Sequence, residues 1–203
     1  MKPALSQCEA QPGVPAKRSF VGWKLSGFAL ETTNNIWSGY QALQRLMERN
    51  EVCEGLRAMV ALACDHGGFA LMREVKAYLD GSGIDYMDFG TFSDESCDYP
   101  EFAIRAGKSI AEGECDRGIF ICGTGIGMSI AANKMPGIRA ALCGDCFTAE
   151  MSRRHNDANV LAIGAMVTGE GLALKIVEIF LATGFDGGRH LRRVGMLNDL
   201  DKR

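Results

Sequence analysis

Three histidines are all that this chain of 203 residues carries, and each stands beside another polar group. They occur in Cys64-Asp65-His66-Gly67-Gly68, Arg153-Arg154-His155-Asn156-Asp157 and Gly187-Gly188-Arg189-His190. An imidazole titrates near neutral pH, so such settings suit proton transfer or anion recognition. Asp65 can orient or charge His66. It is equally the residue type that caps a helix, and it can do both. A second group lies where Gly118-Ile119-Phe120-Ile121-Cys122 runs into Gly123-Thr124-Gly125-Ile126-Gly127-Met128-Ser129. Glycines at alternate positions permit a tight turn and let several amides converge at a helix start, an arrangement suited to an anion. The dinucleotide fingerprint is G-x-G-x-x-G after a first strand with an acid about 20 positions on. Here G-x-G-x-G follows a third strand without that acid, so nicotinamide binding is discounted.

Cys122 ends the strand and faces the same cradle. A thiol at a helix N-terminus can have its pKa drawn from about 8.5 toward neutral, which makes it a base or nucleophile. A cysteine is otherwise a small buried hydrophobe; the glycine-rich setting favours chemistry. Arg189 and Arg193 share one face if their segment is helical, and two guanidinium forks there would grip a phosphate dianion. A basic helix end complementing the dipole is the plainer reading of the same residues. Cys143-Gly144-Asp145-Cys146 is a C-x-x-C without a second pair, so neither zinc nor a redox role is supported.

These groups need a scaffold. Apolar runs at 59–64, 84–89, 118–122, 139–143 and 160–163 alternate with amphipathic stretches at 69–80, 101–112, 127–134, 148–155 and 169–183. Five short buried strands with intervening helices predict an α/β fold, a three-layer αβα sandwich around a five-stranded parallel Rossmann-like sheet. Ligands of such sheets bind beyond the carboxyl ends of the strands, so function is expected in the loops that follow them.

Composition narrows the class. Lys and Arg total 22 against 25 acids, a net charge of −3, which gives no basic surface for nucleic acid. No apolar run approaches the roughly 20 residues that span a bilayer, and the first 30 residues lack a secretory pattern. Eight cysteines in a chain long enough to bury its own core read as reduced thiols, hence a cytoplasmic protein. Residues 1–58 read as an N-terminal extension, aperiodic at first, with an amphipathic pattern from Asn34 onward. Met59 opens a self-sufficient domain over 59–203, and the extension is either dispensable or a mis-assigned start.

Taken together, Cys64–Gly68, Asp98-Tyr99-Pro100, Ile121–Gly127 through Ala131-Ala132-Asn133-Lys134, Ser152–Asp157 and Gly187–His190 resemble the type B ribose-5-phosphate isomerases. That family also holds galactose-6-phosphate and allose-6-phosphate isomerases. The resemblance runs from Met59 to about Arg193 and implies metal-free and cofactor-free isomerisation of ribose 5-phosphate and ribulose 5-phosphate through a cis-enediolate. By analogy Cys122 is the base and Thr124 helps move the hydroxyl proton. His155 opens the sugar ring with Asp65 assisting. His66, Arg189, His190 and Arg193 hold the phosphate, with Tyr99, Gly123, Gly125, Gly127, Ser129 and Asn156 lining the site. One branch of the family carries a loop glutamate instead of the cysteine; here that position is Met128. The resemblance further implies a homodimer, or a tetramer of paired dimers, in which His155, Asn156 and the arginine tail come from the partner chain. A hexose-phosphate isomerase on the same scaffold, or a non-catalytic phosphate-binding module, are the alternatives; the intact Cys122, Thr124 and His155 set argues against the module.

Overall fold

The computed structural model describes residues 59–202. The helix expected after Asn34, and the whole 1–58 extension, lie outside the described residues.

Strand and helix alternate from the first described residue. The elements are β1 (Val60–Cys64), α1 (Phe69–Ser82), β2 (Tyr86–Asp88), α2 (Tyr99–Ala111), β3 (Arg117–Cys122), α3 (Ile126–Ala132), β4 (Ala140–Leu142), α4 (Cys146–Asn156), β5 (Val160–Gly164), α5 (Glu170–Ala182) and α6 (Arg189–Asn198). A 3₁₀ turn over Asp199–Lys202 follows. All strand pairs are parallel, in the order β2-β1-β3-β5-β4. This is the expected α/β sandwich. Two strands are shorter than their apolar runs: β2 and β4 each pair on one side only, so fewer ladder bonds hold their ends. The tail from Arg189 is helical, as the placement of Arg189 and Arg193 on one face required.

The two faces of the sheet differ in side-chain size. On one, Val60, Leu62, Ile119, Ile121, Leu161 and Ile163 pack against Met72, Val75 and Leu79 of α1 and Ile176, Val177 and Phe180 of α5. On the other, Ala61, Ala63, Phe120 and Cys122 meet Ala103, Ala106 and Ile110 of α2 and Met128 and Ala132 of α3. The period-two alternation Val60/Ala61/Leu62/Ala63 thus sets a bulky face against a small one. Cys122 belongs to the small face, directly under α3. Among the described residues, no helix is long and apolar enough to cross a membrane.

Chain order reverses at β1/β3: from β1 the chain builds out to β2 on one side, from β3 to β5 and β4 on the other. The loops leaving β1 and β3 diverge there, which opens the crevice such sheets use for ligands.

Candidate active site

At that switch point the loops after β1 and β3 lie in contact. The Asp65 amide donates to the Ile121 carbonyl at 3.3 Å. A Cβ on Gly67 would stand 3.2 Å from the Gly123 nitrogen, and one on Gly68 would run into the Ile121 carbonyl. Only glycine lets the loops close this far. Asp65 is buried, and its Oδ1 accepts the Gly68 amide at 3.0 Å. Gly68 itself is the N-cap of α1, without a side-chain cap bond. Asp65 therefore braces the turn ahead of the cap rather than capping the helix.

Cys122 ends β3 with 5 % of its surface exposed. The Gly125 amide donates to its sulfur at 3.1 Å, a bond that strengthens when the sulfur is anionic. This requires Gly125 to fold back over the strand end at φ +76°, where a Cβ would strike Leu142. The amide cradle is partly self-satisfied: Ile126 donates to Thr124 Oγ1 at 3.4 Å, and Ser129 to the Gly125 carbonyl at 3.0 Å. Of the expected cradle, Gly125, Ile126 and Ser129 hold the loop's own shape, and Ser129 offers no amide to a ligand. Thr124 is exposed. Tyr99, at the start of α2, lays its ring on Gly127, where a Cβ would sit 2.7 Å from Cζ. Met128 is fully buried and presents no group in place of a base.

His66 is exposed beside this loop. The Cys97 amide donates to its Nδ1 at 3.2 Å, with the Cys97 sulfur 3.8 Å away. Nδ1 is thus an acceptor, and in the neutral ring Nε2 carries the proton. Two further features of this edge escaped the sequence reading. Met166, 77 % exposed, lies over Gly123 with its sulfur 3.3 Å from where a Cβ would be, and its amide donates to the Gly123 carbonyl. Cys97 fixes the His66 tautomer through its main chain, which no side-chain motif announces.

The other basic groups stand elsewhere. His155 lies in the last turn of α4 and precedes the first residue of β5, while Cys122 is in register with Gly164, the last residue of β5. A five-residue strand separates the two levels, roughly 16 Å. Within one chain His155, Asn156, Arg189, His190 and Arg193 therefore sit at the amino edge of the sheet, opposite Cys122. Of the three histidines, His66 alone lies in a loop that follows a strand; His155 closes α4 and His190 lies in the first turn of α6.

This amino edge is tightly built. The His155 and His190 rings stack at 4.3 Å with 2° between planes. Arg189 Nε donates to His190 Nε2 at 3.3 Å. Burial pushes the His190 pKa down, the positive charge of His155, Arg189 and Arg193 pushes the same way, and Asp186 opposes them. Arg154 pairs with Asp186 at 3.2 Å and with Glu150 at 3.0 Å, which holds the Asp186 carboxyl below its ordinary value. The helix ends on Asp157, at φ 46° the non-glycine residue of left-handed conformation among those described. Its carboxylate takes Arg153 at 3.0 Å and Arg139 at 3.1 Å. Sequence gave no hint of this corner beyond an Asp after a basic helix end.

The C-x-x-C splits into unlike halves. Cys143 is buried with its thiol pKa raised, first by burial, and its sulfur approaches the Ala141 carbonyl at 3.8 Å. Cys146 opens α4 behind the Asp145 cap, whose Oδ1 accepts the Thr148 amide at 2.8 Å. Among the described residues, no cluster of three or more His, Cys, Asp or Glu could hold a metal ion.

A family model described as Ribose/Galactose Isomerase matches residues 60–197. Ribose-5-phosphate isomerase B of Escherichia coli K12 is 47 % identical over 144 residues, 71 % of this chain and 97 % of that one. The structure of ribose-5-phosphate isomerase B from Clostridium thermocellum superposes with a TM-score of 0.70 at 51 % identity, covering 71 % of this chain and 97 % of that one. The type B enzyme of Trypanosoma cruzi gives 0.69 at 42 % identity, covering 71 % and 98 %. With a strand-end thiol under an amide loop at the sheet's switch point, the chain belongs to the ribose/galactose isomerase family and is a sugar-phosphate isomerase.

Proposed function

We propose that this protein interconverts ribose 5-phosphate and ribulose 5-phosphate, with Cys122 as the base and with each active site assembled from two copies of the chain. The observation that carries the reading is the 3.1 Å bond from the Gly125 amide to the Cys122 sulfur at the switch point. Aldose–ketose exchange moves one proton from C2 to C1, so a single base between the two carbons suffices. The Cys122 thiolate takes the C2 proton, the negative oxygen of the cis-enediolate faces the Gly123 and Thr124 end of the cradle, and the thiol returns the proton to C1. Thr124 passes the hydroxyl proton between O1 and O2, and Gly127 with Tyr99 forms the floor.

Ring opening falls to His155 and phosphate binding to Arg189 and Arg193, on the edge opposite Cys122. A second copy supplies them, with Asn156 beside them. The surface at this edge favours such a lid: Ile126, Phe147, Met166 and Val167 stand exposed at the carboxyl ends of β3, β4 and β5, with Phe147 at 69 % and Met166 at 77 %. Large apolar side chains clustered at one edge are the mark of a surface that another chain covers. A homodimer with two such sites follows. Asp65 assists at the sugar, and His66 points its Nε2–H toward the phosphate. The described cysteines are all free thiols, which suits a reducing cytoplasm. Residues 59–203 form the catalytic unit, and the 1–58 extension is dispensable; the family match, which starts at residue 60, supports this division.

Side-by-side coupled assays on ribose 5-phosphate, allose 6-phosphate and galactose 6-phosphate test the substrate, with the largest kcat/KM expected on the pentose. Higher turnover of either hexose phosphate would overturn that choice. Cys122→Ala should lower kcat by about a hundredfold to ten-thousandfold, the contribution of proton transfer by a positioned base, while binding of the sugar phosphate persists. Full activity in that variant would remove the base assignment.

A further inference from the structure

We propose that His190 is a positioning residue for His155, holding its ring by face-to-face stacking, and is not a phosphate ligand. The inference rests on the role given above to His155 in ring opening.

Three observations carry it. The two imidazoles are parallel within 2° and 4.3 Å apart between centroids, so His155 has a flat wall on one face. His190 is 8 % exposed, in a segment where its neighbours Arg189, Leu191, Arg192 and Arg193 are all exposed. A ligand for a solvent-borne phosphate would be expected on the exposed side, where Arg189 and Arg193 stand. Finally, Arg189 Nε donates to His190 Nε2 at 3.3 Å, so that nitrogen is an acceptor and the proton of the neutral ring is on Nδ1. A guanidinium N–H and a phosphate oxygen cannot both be served by Nε2. Were the ring to protonate there, it would lose the arginine bond and face a donor with a donor.

The charge around the pair points the same way. His190 faces the His155 ring from α4, Asp186 from the loop before α6, and Arg189 and Arg193 on its own helix; Asp186 is itself held by Arg154. Burial and three neighbouring positive charges disfavour imidazolium at His190, against one carboxylate already paired. A neutral ring at His190 also avoids setting one imidazolium against another. The stack thus fixes the plane of His155 against a flat, uncharged partner.

The geometry also explains why His190 follows two glycines. Gly187 and Gly188 have φ of 64° and 55°, and this positive-φ corner turns the chain into α6, whose second residue, His190, stacks on His155 of α4. The Asp186 amide donates to the Arg154 carbonyl at 3.0 Å, tying the corner to the helix that carries His155.

The test compares His190→Ala with His190→Phe, the second keeping an aromatic face without a titrating nitrogen. The alanine variant should lose about tenfold or more in kcat on ribose 5-phosphate, a cost typical of a loosened catalytic group. The phenylalanine variant should recover most of that loss. In both, KM and the inhibition constant of inorganic phosphate should move by less than about twofold. A rise of either constant in the phenylalanine variant makes His190 a phosphate ligand and overturns the proposal. So does unchanged kcat in the alanine variant while His155→Asn is inactive. Full activity in His155→Asn would instead remove the ring-opening role itself, and the two failures are distinguishable. Because the chain has three histidines, nitrogen-15 labelling of histidine gives a direct readout. His190 should stay neutral with its proton on Nδ1 near neutral pH, and His155 signals should broaden or average between tautomers in the alanine variant. A His190 ring protonated on Nε2 would contradict the assignment.

Discussion

The two edges of the sheet are built on opposite principles. The carboxyl edge is shaped by backbone: glycines at 67, 68, 123, 125 and 127 bring main-chain amides up to one sulfur, and exposed apolar side chains such as Ile126 and Met166 stand around it. The amino edge is made of side chains, with His155, His190, Arg139, Arg153, Arg154, Asp157 and Asp186 locked by stacking and ion pairs. Backbone groups suit a developing oxyanion because they are fixed in place and cannot titrate away. Side-chain imidazoles and guanidiniums suit proton delivery and phosphate capture. On the proposed reading each chain carries the two halves of a catalytic site, and the strands between them keep the halves apart.

Breaking each edge should therefore look different. At the carboxyl edge, Gly125→Ala forces a side chain into φ +76° and into Leu142, displacing the amide from Cys122. Activity should fall at least about a hundredfold, the scale for a lost preorganised donor. The melting temperature should drop as well. An active, fully stable Gly125→Ala would mean that the amide–sulfur bond is incidental.

At the amino edge, Asp157→Ala removes the partner of two arginines, one of them buried, and leaves alanine in a left-handed conformation. Burial already pulls the Arg153 pKa down, and the Asp157 charge is what opposes it. Denaturant unfolding should show a loss of about 2–4 kcal/mol. Asp157→Asn, which tolerates the same backbone and loses only the charge, should cost about half. Equal losses in the two variants would show that the turn contributes nothing.

The smallest effect concerns the core between the edges. Burial pushes the Cys64 thiol from 9.0 up to about 12, with Asp88 adding to it. Because the folded-state value is raised, the stability from keeping this thiol neutral is complete below the unfolded value and declines as pH climbs from about 9 toward 12. The chain should unfold more easily across that alkaline window, and Cys64→Ala should flatten the slope there. An unchanged slope would place the alkaline sensitivity in other groups, such as Cys115 and Cys143, whose thiols are shifted the same way.

How much of this could be read from sequence follows the same division. The carboxyl edge is local: Cys122, Gly123 and Gly125 are consecutive or nearly so, and a strand followed by alternate glycines announces its own geometry. The alternation of apolar runs likewise fixed the parallel sheet, because hydrophobic periodicity is a short-range signal. The amino edge is assembled from residues far apart in the chain, with Arg139 meeting Asp157 and His155 meeting His190. Neither pairing leaves a spacing rule. The motif around His155 does not by itself say which edge it occupies; a helix antiparallel to its strand carries its last turn to the side opposite the strand-end loops. Met166 was invisible for a related reason, since a methionine two residues past a strand says nothing until its neighbour Gly123 is known.

A mixture of two dead variants tests the central claim most directly. Cys122→Ala breaks only the carboxyl-edge half of a site, and His155→Asn only the amino-edge half. Unfolded together in equal amounts and refolded, half of the dimers pair one of each. Every such dimer holds one site free of both substitutions, so activity should return to about one quarter of wild type. A mixture as inactive as its two parents would contradict a site shared between copies and would require Cys122 and His155 to act within a single chain.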